Sequence, residues 1–322
     1  MHNLRGGHGD TTKLVPLKSF LIEGKVKDNS NKEVVCESYK LTSRTWQETL
    51  EQLRNIKIAL RHLNKMQLNK EVRNWIGILQ SFQNDCWIFP VVTLWSKFEL
   101  QETWVVGLNA EEHEQSCVFL QNIARYLYSK GFGSESVHGP SITDEMFAAT
   151  VCAAKGLPYK PTINVSQKIK KKLSAPIQEA KFRKGFCAIL EQINQMIQVK
   201  RMEEKFGFFD FSVAPNVEHI LPKKWETAYF DDWRSGYAPN QIFNAIGNLM
   251  LLETIPNIKA ANYHFDVKCT AGYTISGYTV VQDLLNETWR QNKTWTPELF
   301  RKKHEISVNR LMQFFQGVYL ND

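Results

Sequence analysis

Glu218 and His219 stand together at the end of an apolar run (208–217, broken by polar residues), and Ile220-Leu221-Pro222 turns the chain away behind them. Further on, Gly247-Asn248-Leu249 opens a second short apolar run that ends at Leu252. Pro256-Asn257 then starts a segment of helical spacing carrying Asn257, Asn262, His264, Phe265 and Lys268. A histidine titrates at about pH 6.5, so its neutral form is available near neutrality to take a proton from water. A carboxylate and a carboxamide oxygen are hard ligands that suit Mg²⁺, which keeps most of its own waters. A base that activates water and a cation that neutralises the departing oxygen are what phosphodiester hydrolysis needs. Glu218, His219 and Asn257 supply that set if the two apolar runs pair and fold back onto the helix.

The elements that must position them read as strand, long irregular loop, strand, helix. With a His closing the first strand and an Asn at the helix start, that order is the layout of a ββα-metal nuclease site. Each residue also has a plainer reading. A His beside a carboxylate is by itself more often a satisfied surface residue. Asn248 after Gly247 fits simple turn chemistry, and Asn257 after Pro256 fits a helix-start residue. Glu218 could meet a cation directly or through water.

EHILP (218–222), GNLMLL (247–252) and PN-IKAAN-YHF-DVK (256–268) together resemble the HNH endonuclease domain that ends the GmrSD-type (ParB-like plus HNH) restriction proteins. The resemblance spans about residues 205–322. It implies His219 as general base, Asn248 as the catalytic-site residue pinning the loop, and Glu218 and Asn257 as ligands of Mg²⁺ or Mn²⁺. Asn262, His264 and Lys268 fall on or beside the remaining polar positions as auxiliary residues, with a phosphate contact or a structural bond both open. Met250 stands where Thr is commoner. The implied activity is metal-dependent cleavage of DNA, in restriction of foreign and often modified DNA. Such proteins usually begin with a ParB-like nucleotide-handling domain bearing a DGQQR-type motif; neither that motif nor GxxxxGK[ST] occurs here. The chain is therefore expected to work with a separate ParB-like NTPase partner, or under different regulation.

Composition agrees without deciding. A net charge of +7 suits a phosphate-bearing partner, although modest positive excess is common in ordinary soluble proteins. A hydrophobic share of 43% with nine Trp supports a packed core. The six cysteines form no CxxC pair, so no structural zinc is expected, nor a disulfide framework, and a reducing cytoplasm is the default. No apolar run of about 18 residues suggests a membrane partner.

Stepping upstream, the spacing predicts helices at 45–66, 72–82, 88–98, 109–130, 143–155 and 186–206, with closing helices at 280–291 and 297–315. Thr45 and Glu48 read as a capping box, and Trp46, Leu50, Leu53, Ile56, Leu60, Leu63 and Met66 as one inward stripe with His62 on its flank. Gly131 reads as a C-cap and Thr143 as an N-cap. The expected fold is α+β but mostly α. A helical domain with an irregular N-terminal arm (1–205) precedes an HNH ββα-metal module with closing helices (206–322). Lys168, Lys170, Lys171 and Lys172 cluster just upstream of the site. They form either a solvated charged turn or a ridge of DNA phosphate contacts. The aromatics of 223–244, among them Trp225, Tyr229, Phe230 and Trp233, either stack on bases or pack the long loop. The rival readings are a catalytically decayed DNA-binding or regulatory subunit, an interaction scaffold, and an RNase. Cutting two strands with one site would call for two copies acting together, a homodimer.

Overall fold

The computed structural model describes residues 25–27, 33–35, 45–65, 69–98, 100, 108–134, 140–202, 215–222, 233 and 239–318. The short segment 19–22, whose residue types lean toward a strand, lies outside them. The chain divides into two compact units, Met1–Trp75 with Asn84–Thr162, and Ile76–Gln83 with Ile163–Asp322.

In the first unit, β1 (Lys25–Lys27) and β2 (Glu33–Val35) pair antiparallel, Val26 opposite Val34. This hairpin falls in the arm that the sequence reads as irregular. Helix α1 spans Trp46–Lys65 and starts on the expected capping box: Glu48 Oε2 accepts from Thr45 N at 2.7 Å, and Thr45 Oγ1 accepts from Glu48 N at 3.3 Å. Its inward face differs from the expected stripe. Leu50, Leu53 and Leu60 are exposed, while Ile58, Ala59, His62 and Leu63 are buried. The periodicity locates a helix but not its orientation; α1 turns to α3 the face that fits it, and His62 goes inside.

Helices α2 (Lys70–Ser81), α3 (Ile88–Trp95), α4 (Ala110–Ser134) and α5 (Pro140–Lys155) follow, the second half of α2 belonging to the other unit. Asn109 and Glu112 cap α4 reciprocally, each side chain accepting the other's N–H at 2.9 Å. Gly131 is not its C-cap: the helix runs on to Ser134, carrying Phe132 into the core. Thr143 likewise lies inside α5, which begins at Pro140, a residue suited to a first turn. The Trp95 indole donates to Ser116 Oγ at 2.9 Å, and Tyr159 closes the unit by donating to Glu145 Oε1 at 3.0 Å.

The second unit is built on a two-stranded antiparallel sheet, β3 (Asn216–His219) with β4 (Leu249–Leu252). Every residue of β4 is buried, as its unbroken LMLL run requires of a strand covered on both faces. Helix α6 (Gln167–Leu173) precedes α7 (Ala180–Met202), which packs on both strands. After the short α8 (Pro239–Ile242) and a 3₁₀ turn at Ile246–Asn248, β4 leads into α9 (Thr254–Ala260) and α10 (Phe265–Ala271). Helix α11 (Thr279–Asp283) continues through a π-helical stretch, Leu284–Trp289. The last helix, α12 (Pro297–Gln316), has Thr296 as N-cap, Pro297 at its start and Gly317 at φ 80° as its left-handed C-cap.

Two devices hold these pieces. Phe82, Phe182, Phe186 and Phe315 form a chain of ring contacts with centroids 5.8–6.3 Å apart. Buried Glu191 on α7 caps α11: its Oε1 accepts from Thr279 N and Oγ1 at 2.7 and 2.9 Å, and its Oε2 from Val280 N at 2.9 Å. Burial pushes that carboxyl up from the usual range, and the bonds to Val280 and Thr279 oppose the shift. The described residues are thus mostly helical with small antiparallel sheets. No helix among them is long and apolar enough to cross a membrane.

Candidate active site

The register of the β3–β4 hairpin sets Glu218 opposite Met250 and His219 opposite Leu249. Glu218 goes inward and is 6% exposed. Its Oε1 accepts from Lys268 Nζ at 2.5 Å and from the Tyr273 hydroxyl at 2.8 Å. Its Oε2 takes no hydrogen bond from a described residue. Lys268 itself is 1% exposed and also donates to the His219 carbonyl at 2.6 Å. Burial lowers the Lys268 pKa while the Glu218 carboxylate pulls it back up; burial and the same carboxylate raise the Tyr273 phenol well above its usual value. Lys268 is therefore a buried structural cation in this arrangement and is not presented to solvent.

His219 is half-buried, with Nε2 3.4 Å from Asn244 Oδ1. If that oxygen accepts, Nε2 carries the proton and Nδ1 is the basic nitrogen. Asn248 is fully buried and spans the turn behind the histidine. Its Oδ1 accepts from Leu221 N at 2.7 Å, and its Nδ2 donates to Leu221 O at 3.2 Å and Phe243 O at 3.4 Å. The carboxamide thereby fixes the chain leaving β3 to the chain entering β4.

The segment after β4 is two helices, where the sequence suggests one. Ala261, at φ 41°, ends α9 in a conformation costly for a non-glycine residue, and His264 opens α10 as its N-cap. Asn257 lies in α9 rather than at its start, since the helix begins at Thr254. It is half-buried, its carboxamide meets no hydrogen-bond partner among the described residues, and α9 packs against β3. Asn262 is exposed at the break and His264 half-buried. Lys168, Lys170, Lys171 and Lys172 sit on α6, a helix that the composition hides, anchored by buried Ile169 and Leu173. Of the loop aromatics, Trp233 is buried edge-on against Phe300 at 5.8 Å; Trp225, Tyr229 and Phe230 lie outside the described residues.

A backing layer comes from α12. A Cβ on Gly247 would stand 2.4 Å from the His304 Cβ, so only glycine lets the two backbones approach. Gly247 N donates to His304 Nδ1 at 3.2 Å, and Lys303 Nζ to the Leu249 carbonyl at 2.9 Å. Burial of the ammonium brings the Lys303 pKa down to about 8. Asn244, Tyr273, Lys303 and His304 escape a reading of the sequence, because no local spacing connects them to the strands they meet. The glycine of the GNL run is the one local sign that another backbone comes close to the turn into β4.

Residues 164–306 match the C-terminal domain of the GmrSD restriction endonucleases. No curated protein and no solved structure matches the chain. The GmrSD match takes in the β3–β4 hairpin, α9, α10 and the first half of α12. It begins one residue into the stretch from Ile163 that builds the second unit. The likeness thus starts upstream of residue 205 and takes in α6 and α7, of which α7 packs on both strands of the hairpin. The similarity is to a restriction endonuclease family.

Proposed function

We propose that the chain is a metal-dependent DNA endonuclease of the HNH type, acting in restriction of foreign DNA, with residues from 206 onward forming its ββα-metal module. The observation that carries the reading is the hairpin–helix arrangement inside the GmrSD-matched segment: His219 ends β3, Asn248 clamps the turn behind it, and the helix carrying Asn257 packs on the same strand. His219 takes the proton of an attacking water through Nδ1, with Nε2 oriented by Asn244. Asn248 acts by holding the histidine's loop.

The donors suit a hard cation in kind. Asn257 offers an amide oxygen with no partner among the described residues, and Glu218 offers Oε2 while Lys268 and Tyr273 hold Oε1. Glu218 and Asn257 are the residues that would hold Mg²⁺ or Mn²⁺. When bound, such an ion neutralises charge on the phosphate and the departing 3′-oxygen. Asn262 and His264 would serve as auxiliary groups, and the lysines of α6 would contact DNA phosphates. A ParB-like NTPase partner and a homodimer belong to the same reading.

Plasmid nicking with Mg²⁺ or Mn²⁺, with and without EDTA, tests it. His219→Ala should lower the rate by about 10²–10⁴-fold, some 3–5 kcal/mol of barrier, with an unchanged circular dichroism spectrum. Full cleavage by that variant refutes the assignment. The commitment of Glu218 to Lys268 favours one alternative, a DNA-binding subunit that does not cut. Retention of DNA without nicking under either metal would select it.

A further inference from the structure

Outside the GmrSD-matched segment, two helices of the first unit bring together a nitrogen, a sulfur and an oxygen donor. Glu71 lies in the first turn of α2, where Asn69 Oδ1 accepts its N–H at 3.0 Å and fixes the helix start. His113 and Cys117 are four residues apart on α4 and share one face of it. The reciprocal Asn109–Glu112 cap secures that end of α4. His113 Nε2 is 3.5 Å from Cys117 Sγ and 3.6 Å from Glu71 Oε2. One donor atom from each residue can be chosen so that all lie within 4.8 Å of one another. Cys117 is buried, and the side chains of His113 and Glu71 keep 24% and 14% of their exposure.

The His113–Cys117 approach is an ordinary hydrogen-bond distance to sulfur, whereas the His113–Glu71 approach is long for a direct hydrogen bond. A direct N–H···O bond falls at about 2.7–3.2 Å, shorter than the His113–Glu71 separation. An ion with bonds of about 2.0–2.3 Å to N, O and S in a tetrahedron spaces those ligands about 3.3–3.6 Å apart. Those are the separations that the imidazole makes on both sides.

We propose that Glu71, His113 and Cys117 form a zinc-type metal site that joins α2 to α4, with the fourth position left to water. The thiolate excludes Mg²⁺ and Ca²⁺ as the preferred ion, and the mixed N, S, O set suits Zn²⁺. On binding, the Cys117 S–H bond breaks, its proton goes to solvent and a zinc–sulfur bond forms, while His113 binds as neutral imidazole. The site differs from the zinc ribbons that the missing CxxC pairs set aside, because its donors are four residues apart on one helix with the third on another.

The full chain, purified without chelator from zinc-supplemented medium, is assayed for metal content by mass spectrometry and then loaded with Co²⁺. The expected result is one equivalent of zinc and, with Co²⁺, a near-ultraviolet thiolate-to-cobalt charge-transfer band with tetrahedral visible bands. Cys117→Ser should abolish the charge-transfer band, and both it and His113→Ala should weaken zinc by more than the about 10–100-fold that loss of a supporting residue costs. His219→Ala should change neither signal, which separates this site from the nuclease reading. Wild-type protein that shows no charge-transfer band overturns the proposal without reliance on any variant. A band that persists in Cys117→Ser overturns it as well.

Discussion

Lys268 is the residue whose surroundings constrain the chemistry most. An ammonium taken almost wholly out of water, with its charge balanced by Glu218 and its remaining bonds spent on the His219 carbonyl, is expensive to orphan. Glu218→Ala should therefore cost about 3–5 kcal/mol in urea unfolding, because it leaves a buried cation without a partner. Lys268→Met leaves the carboxylate still bonded to Tyr273 and should cost less. The double change Glu218→Leu with Lys268→Met removes both charges and should recover most of the stability. Nicking assays on the double variant then isolate the carboxylate's second duty. If activity survives with stability, Glu218 serves only Lys268 and the ion rests on Asn257 and waters. If stability returns but activity does not, Oε2 is a ligand.

At the scale of elements, the hairpin is held less by its own ladder, four residues a side, than by what leans on it: α7 on both strands and α12 on the turn into β4. The contact at Gly247 is the tightest part of that support. Gly247→Ala drives a methyl into the backbone of α12 at His304. It should destabilise by about 1–3 kcal/mol, as overpacking typically does, and should displace Asn248 and so slow nicking. Thermal unfolding with a parallel nicking assay checks both effects. Unchanged stability would mean that α12 is not seated there. Glu191, far along the chain from the strands, shows the same logic, since its carboxylate closes the start of α11.

For the molecule as a whole, the half-buried Lys303 predicts a pH dependence of stability. Lys303 has its pKa lowered from 10.5 to about 8 by burial. The unfolded chain then binds more protons between those values, so stability should rise as pH rises through that window, and the penalty is fully present below it. The gain should be on the order of 1–3 kcal/mol. Urea titrations of wild type and Lys303→Met at pH 8 and pH 10.5 measure it; wild type should gain relative to the variant. A parallel response in both proteins would remove Lys303 as the source.

The elements were legible in the sequence where the cause is local. The Thr45–Glu48 cap, the LMLL strand and the helix from Pro297 all follow from short-range bonding and periodicity. So did the candidate site's outline, because EHILP, GNLMLL and the Asn-bearing segment lie within one stretch of chain. What tertiary structure alone decided is which atoms those residues meet. Leu50 and Leu53 of α1 face outward while His62 goes in, a choice of face that periodicity cannot make. Glu218 is committed to Lys268 and Tyr273, His219 faces Asn244, and Glu71 meets His113 and Cys117. Each of these pairings spans from 25 to 55 positions of chain, and only packing brings such partners within bonding distance.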